Sequence, residues 1–217
     1  MIESRSDLIE YLEADRIALG RKEKRPKITD YVWKYEILLR RCEYYYNCKK
    51  GFFSRIVGGV LRYRKSKLAL KCNFTIPYNV VGKGLSIAHV GPIVISNKAK
   101  VGDYCRFQVG VNIGEDSRSP VAPIIGNNVY FGPGAKIFGG IKIGNGIAIG
   151  ANAVVNKSFD EDDISIGGVP ARKIRTLPAS SRRSTEWRRS TICRYCIPAT
   201  RDPGSAWRHP DFSLIPG

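Results

Sequence analysis

A chain of 217 residues, 43% hydrophobic and 25% charged, is long enough to bury one core of ordinary size and too apolar to be disordered throughout. It contains no apolar run of about 18 residues, and its polar, acidic start MIESRSDLIEYLEADR does not read as a secretory leader. The expectation is therefore a cytoplasmic protein with reduced thiols at its six cysteines. The net charge of +17 suits anionic partners, but no nucleic-acid-binding signature accompanies it, so nucleic acid is not expected.

In chain order, residues 3–20 and 31–50 read as helices. Leu8, Ile9, Leu12, Ile17 and Leu19 give the first an apolar set, and Val32, Trp33, Tyr35, Ile37, Leu38 and Leu39 the second. Residues 51–72 mix aromatic, aliphatic and basic side chains. Residues 1–72 are predicted to form a helical cap, with peripheral contact to a membrane through its basic surface as a second role.

A repeat of six residues fills the middle of the chain. From Ile125 the sequence reads IGNNVY, FGPGAK, IFGGIK, IGNGIA, IGANAV, VNKSFD. Aliphatic or Phe residues fall at 125, 131, 137, 143, 149 and 155, and a small or apolar residue follows four places after each of the first five. The same frame runs upstream from Val81, Ile87 and Ile93, and after two extra residues from Val101, Phe107 and Ile113. A helix cannot keep a six-residue stripe on one side, whereas short strands joined by tight turns can. Gly or Asn beside the leading residue accepts the turn conformations. The prediction is an all-β solenoid over residues 73–177, twelve hexads making about four three-sided coils. Ser117–Ile124 reads as a loop thrown out of it. The tail 178–217 has seven Arg, no Lys and five Pro, and is predicted to be flexible. Its Cys193-x-x-Cys196 lacks a second pair, and no metal is expected.

The hexads resemble those of the hexapeptide-repeat acyltransferases, a family with a left-handed parallel β-helix. GLSIAHVGPIVISNKAKVGDYCRF is similar to the serine-acetyltransferase branch, in which the histidine of an H-x-G-x-I-V-[IV] motif removes the acceptor's hydroxyl proton. His89, Gly91, Ile93, Val94 and Ile95 match it. IGGVPARKIR (166–175) is similar to the motif that closes the β-helix in these enzymes. The resemblance covers about residues 73–177. It implies acetyl-CoA as donor, a homotrimer, His89 as general base, and contacts to CoA from Gly150, Ala151, Lys157 and Arg175.

The departures concern the acceptor. An arginine and a second histidine of that branch fall at Val121 and Ala122, and an aspartate before the catalytic histidine falls at Ala88. Groups suited to the carboxylate and ammonium of serine are thus missing, apart from Arg118 nearby. The sequence reading therefore favours a sugar or polysaccharide O-acetyltransferase with a glycan acceptor. Serine O-acetyltransfer for cysteine synthesis is its alternative.

Overall fold

The computed structural model describes residues 1–117 and 120–176. The flexible-tail expectation for 178–217 and Arg118 lie outside the described residues. Three helices come first: α1 (Arg5–Leu19), α2 (Tyr31–Cys48) and α3 (Phe52–Cys72). Ser4 caps α1, its hydroxyl accepting from the Asp7 N–H while the Asp7 carboxylate accepts from the Ser4 N–H. Gly20 ends it in the left-handed conformation. The Asp30 carboxylate caps α2, and Asn73, at φ 62°, turns the chain from α3 into the first strand. None of these helices is long and apolar enough to cross a membrane.

The strands are short. In order they are β1 (Phe74–Thr75), β2 (Ser86–Ile87), β3 (Ile93–Ile95), β4 (Lys100–Val101), β5 (Arg106–Phe107), β6 (Asn112–Gly114), β7 (Ile124–Ile125), β8 (Tyr130–Phe131), β9 (Lys136–Phe138), β10 (Lys142–Ile143), β11 (Ala148–Ile149), β12 (Val154–Val155), β13 (Ile164–Gly167) and β14 (Arg172–Thr176). They stack into three parallel sheets, β1-β3-β6-β9-β12, β4-β7-β10 and β2-β5-β8-β11-β13. Val81 and Phe159 extend the middle sheet by single bridges, and β14 closes the last one antiparallel to β13. The chain is a left-handed parallel β-helix beneath a helical cap.

The hexad explains the coil. All twelve leading residues are buried, from Val81 to Val155, and Phe107 stacks on Phe131 with ring centroids 4.6 Å apart. The third place of several hexads holds Asp or Asn. Those side chains form a ladder down one corner: Asp103 accepts from the Lys83 N–H, Asn127 from Asp103, Asn145 from Asn127, and Asp162 from Asn145. Each spans one coil at 2.7–3.0 Å. The coils number five, one more than the hexads predict. The first, through Phe74, Val81 and Ile87, and the last, through Val155, Phe159 and Ile166, complete themselves with residues outside the frame.

The cap docks through polar groups. Although α1 carries Leu8, Ile9 and Ile17, its buried residues are Ala14, Asp15 and Ala18. The reason lies in what faces it: the edge of the first coil offers unpaired backbone groups, and these require charged or polar partners. Asp15 accepts from the Leu85 N–H at 2.8 Å, Glu36 from Ile87 at 3.1 Å and Glu43 from Asn79 at 2.9 Å. Arg40, wholly buried, donates to the Val81 and Gly82 carbonyls and pairs with Asp15 at 2.8 Å and Glu43 at 3.0 Å.

Two carboxyls share one guanidinium, and a third, Glu36, is buried near them. Burial works against the Arg40 charge, but Asp15 and Glu43 hold its pKa above the ordinary guanidinium value. Burial lifts Asp15, against the pull of Arg40 and the Leu85 N–H. Burial, reinforced by the charge on Asp15, drives Glu36 well above the usual carboxylate range. Arg40 bonds Asp15 and Glu43 but not Glu36, whose Oε2 has no hydrogen-bond partner among the described residues. The network therefore favours the protonated form of Glu36.

A raised carboxyl pKa stabilises the fold fully below the unfolded value of about 4.3, and that contribution is lost as pH rises through the folded value. Wild type should thus lose stability as pH rises above the ordinary carboxylate range, in step with the raised pKa of this group. Glu36→Gln, which mimics the neutral carboxyl, should flatten that slope. Urea unfolding midpoints of both proteins above that range provide the check; parallel curves would place the proton elsewhere.

Candidate functional site

His89 lies at the corner between β2 and β3, where the chain bends from residue 89 to residue 91. It is exposed, and no hydrogen bond reaches its imidazole among the described residues. Gly91 shapes this corner. Its φ is 150°, and a Cβ there would meet the Val109 Cγ1 at 2.9 Å. Its N–H donates to the Cys72 carbonyl at 3.1 Å, so the end of α3 and this corner are tied together.

The strand register places other residues on the same corner. Ile87, Phe107, Phe131, Ile149 and Ile166 are in line across their sheet. One place later come Ala88, Gln108, Gly132, Gly150 and Gly167, and one further come His89, Val109, Pro133, Ala151 and Gly168. His89 thus stands three coils above Ala151, about 14 Å along the axis at the usual strand spacing. The lower part of this column is backbone with almost no side chain. A Cβ on Gly132 would lie 2.7 Å from the Ala151 nitrogen and the Ile149 carbonyl oxygen, and one on Gly150 would lie 3.4 Å from the Ile166 oxygen. The Gly150 N–H is used internally, donating to Ile166 at 2.8 Å. The Ala151 N–H has no acceptor among the described residues, and its side chain is exposed.

The two expected cations sit elsewhere. Lys157 follows β12 at the next corner of the coil, with its ammonium over the Phe159 ring at 5.4 Å. Arg175 lies on β14 opposite Ser165, two places before the glycine column. Arg172, opposite Gly167, is the exposed cation level with that column. The sequence could not place it there, because the antiparallel register of β14, with its irregularity at Ser165/Ile166, carries no repeat signature. Among the described residues no group of three metal-ligating side chains is assembled.

The residues at the branch's arginine and histidine places differ in exposure, Val121 being half-exposed and Ala122 buried. Val121 packs on Gly140, where a Cβ would lie 3.1 Å from the Val121 Cγ1. They precede β7 and thus belong to a different corner from His89.

No protein-family model matches the chain. It is 38% identical over 96 residues to the serine acetyltransferase of Synechococcus elongatus, covering 43% of this chain and 39% of that protein. It is 36% identical over 114 residues to that of Mycobacterium tuberculosis, covering 52% and 49%. The chain therefore matches about half or less of the length of these relatives. Among solved structures it is similar to serine acetyltransferase in complex with coenzyme A from Brucella abortus, with TM-score 0.61, 25% identity, and 80% and 70% of the two chains covered. The chain resembles the serine-acetyltransferase branch of the hexapeptide-repeat acyltransferases.

These likenesses correct the acceptor. The relatives from Synechococcus elongatus and Mycobacterium tuberculosis are named for serine, which overturns the sugar or polysaccharide reading. That reading rested on side chains lacking at Ala88, Val121 and Ala122. Missing side chains remove one way of binding serine without building a site for a sugar.

The glycine column yields a direct test of the stacking. Gly132→Ala should lower stability by about 1–3 kcal/mol, because the colliding atoms are backbone and cannot rotate away. A thermal melt should show a fall of several degrees, and an unchanged midpoint would contradict the close approach of these coils.

Proposed function

We propose that this chain transfers acetyl from acetyl-CoA to the hydroxyl of serine in the cytoplasm, with His89 as general base. The observation that carries the reading is the exposed imidazole at the head of a glycine corner, in a β-helix similar to serine acetyltransferases. The imidazole takes the proton from the serine hydroxyl as its oxygen attacks the thioester carbonyl carbon. The tetrahedral intermediate then expels the thiolate of CoA, which receives the proton from the imidazolium. O-acetylserine and free CoA are the products. A homotrimer, in which the corner of one chain meets that of the next, is part of the proposal. Arg118, in the loop and outside the described residues, is the cation that the sequence offers to the serine carboxylate.

For the donor, a narrow pantetheine arm fits the column at Gly132, Gly150 and Ala151, where only the Ala151 N–H is left to bond it. Arg172 and Arg175, on the strand below, and Lys157, at the next corner, are the cations proposed for the CoA phosphates, since guanidinium and ammonium pair with phosphate.

His89→Ala should lower kcat with serine by about 10²–10⁴ while leaving the thermal midpoint in place. Thiol release from acetyl-CoA is the assay, and activity within about threefold of wild type would remove His89 from the reaction.

The cations answer to a different readout. If Arg172 binds the donor in ground and transition states alike, Arg172→Ala raises the KM for acetyl-CoA with kcat little changed. The same comparison for Lys157→Ala and Arg175→Ala ranks the three. An unchanged donor KM in all three variants would put the CoA phosphates elsewhere.

A further inference from the structure

The outer face of α3 exposes a row of large apolar side chains. Leu61 and Cys72 are its buried residues, with Leu68 and Ala69 packed beside them against the cap and the coil. On the opposite side Phe52, Ile56, Val60, Tyr63 and Leu70 recur at helical spacing, and they are 51–84% exposed. Phe53, 81% exposed, stands beside them. From Phe52 to Leu70 the stripe runs about 27 Å. The helix needs none of it for packing, since the fold is held through the other face.

Cations rim the stripe. At 100° per residue, Arg55 and Arg62 fall along one edge, Arg64 and Lys71 along the other, and Lys67 within it. Lys49 and Lys50 lie just before the helix. No Asp or Glu occurs between Glu43 and Asp103, and among the described residues none of the α3 cations pairs with a carboxylate. Such a surface is complementary to an extended apolar phase covered by anions. A second copy of the same face would bring like charges together along its whole length.

We infer that α3 lies flat on an anionic lipid surface, its aromatic and aliphatic stripe buried at the boundary of headgroups and acyl chains and its cations on the lipid phosphates. The helix lies on the bilayer and does not span it, consistent with its length and composition. Because α3 runs directly into the first coil through Asn73 and β1, binding would set the coil's capped end against the membrane.

Vesicle flotation with the full chain tests this without any acetyl transfer, so it stands or falls apart from the proposed activity. Vesicles of phosphatidylcholine alone and with about one quarter phosphatidylglycerol are the probes. Binding should require the anionic lipid and fall when salt is raised from about 0.1 M to about 0.5 M. Arg62→Gln with Arg64→Gln should weaken it about thirtyfold. Phe52→Ser with Ile56→Ser should weaken it at least about tenfold. Thermal melts should stay unchanged in both, since all four side chains are exposed. Three results would overturn the inference: no binding by wild type, binding by both double variants as tight as that of wild type (which would assign it to the Arg-rich tail), or a change of sedimentation state in the Phe52/Ile56 variant, which would make the stripe a contact between copies.

Discussion

Arg40 holds the two halves of the molecule together. A β-helix that simply stopped would leave a row of N–H and C=O groups bare, and in water that row would pair with another chain. Here carboxyls from α1 and α2 take the N–H groups of Leu85, Ile87 and Asn79, and Arg40 takes the carbonyls of Val81 and Gly82. Side chains thus stand in for a missing coil. The guanidinium can be buried because Asp15 and Glu43 flank it, and the carboxyls can be buried because Arg40 and backbone donors face them. Removing any one leaves a desolvated group without its partner, the costly case for buried ions.

That arrangement reaches the candidate site within two residues. Glu36 holds the Ile87 N–H, and His89 is the second residue beyond it. The Gly91 N–H is bonded to Cys72 at the end of α3. The corner carrying the imidazole is therefore fixed from both sides by the cap, although the imidazole itself projects free of it. Three coils lower, the glycine column depends on a different constraint, the close stacking of backbone on backbone. His89 and the glycine column are kept in line by the shared register of one sheet.

The hexads, the helical cap and the resemblance to the serine-acetyltransferase branch were legible because each rests on a local pattern. The leading residues at 125, 131, 137, 143, 149 and 155 repeat with a period no helix can adopt, and they are the interior of the coil. What was not legible depends on contacts distant in sequence. Asp15 falls beside Leu8, Leu12 and Leu19 on α1, and only the bare coil edge explains why a carboxylate is buried at that place. The end coils use Phe74, Phe159 and Ile166, outside the hexad frame. The level of Arg172 with the glycine column follows from an irregular antiparallel pairing, and the separation of Lys157 from that column follows from counting corners. The acceptor was misread because Val121 and Ala122 were weighed as a lost serine site, when a buried alanine and a valine packed on Gly140 say nothing about another ligand.

The central claim is that an acetyl ester of serine is formed on this chain. The most direct measurement is to incubate the protein with serine and acetyl-CoA isotopically labelled in its carbonyl carbon, and to follow the label by NMR. The account predicts a new ester carbonyl signal from O-acetylserine, growing as the thioester signal decays. Label that stays in acetyl-CoA, or that appears only as free acetate, would contradict it.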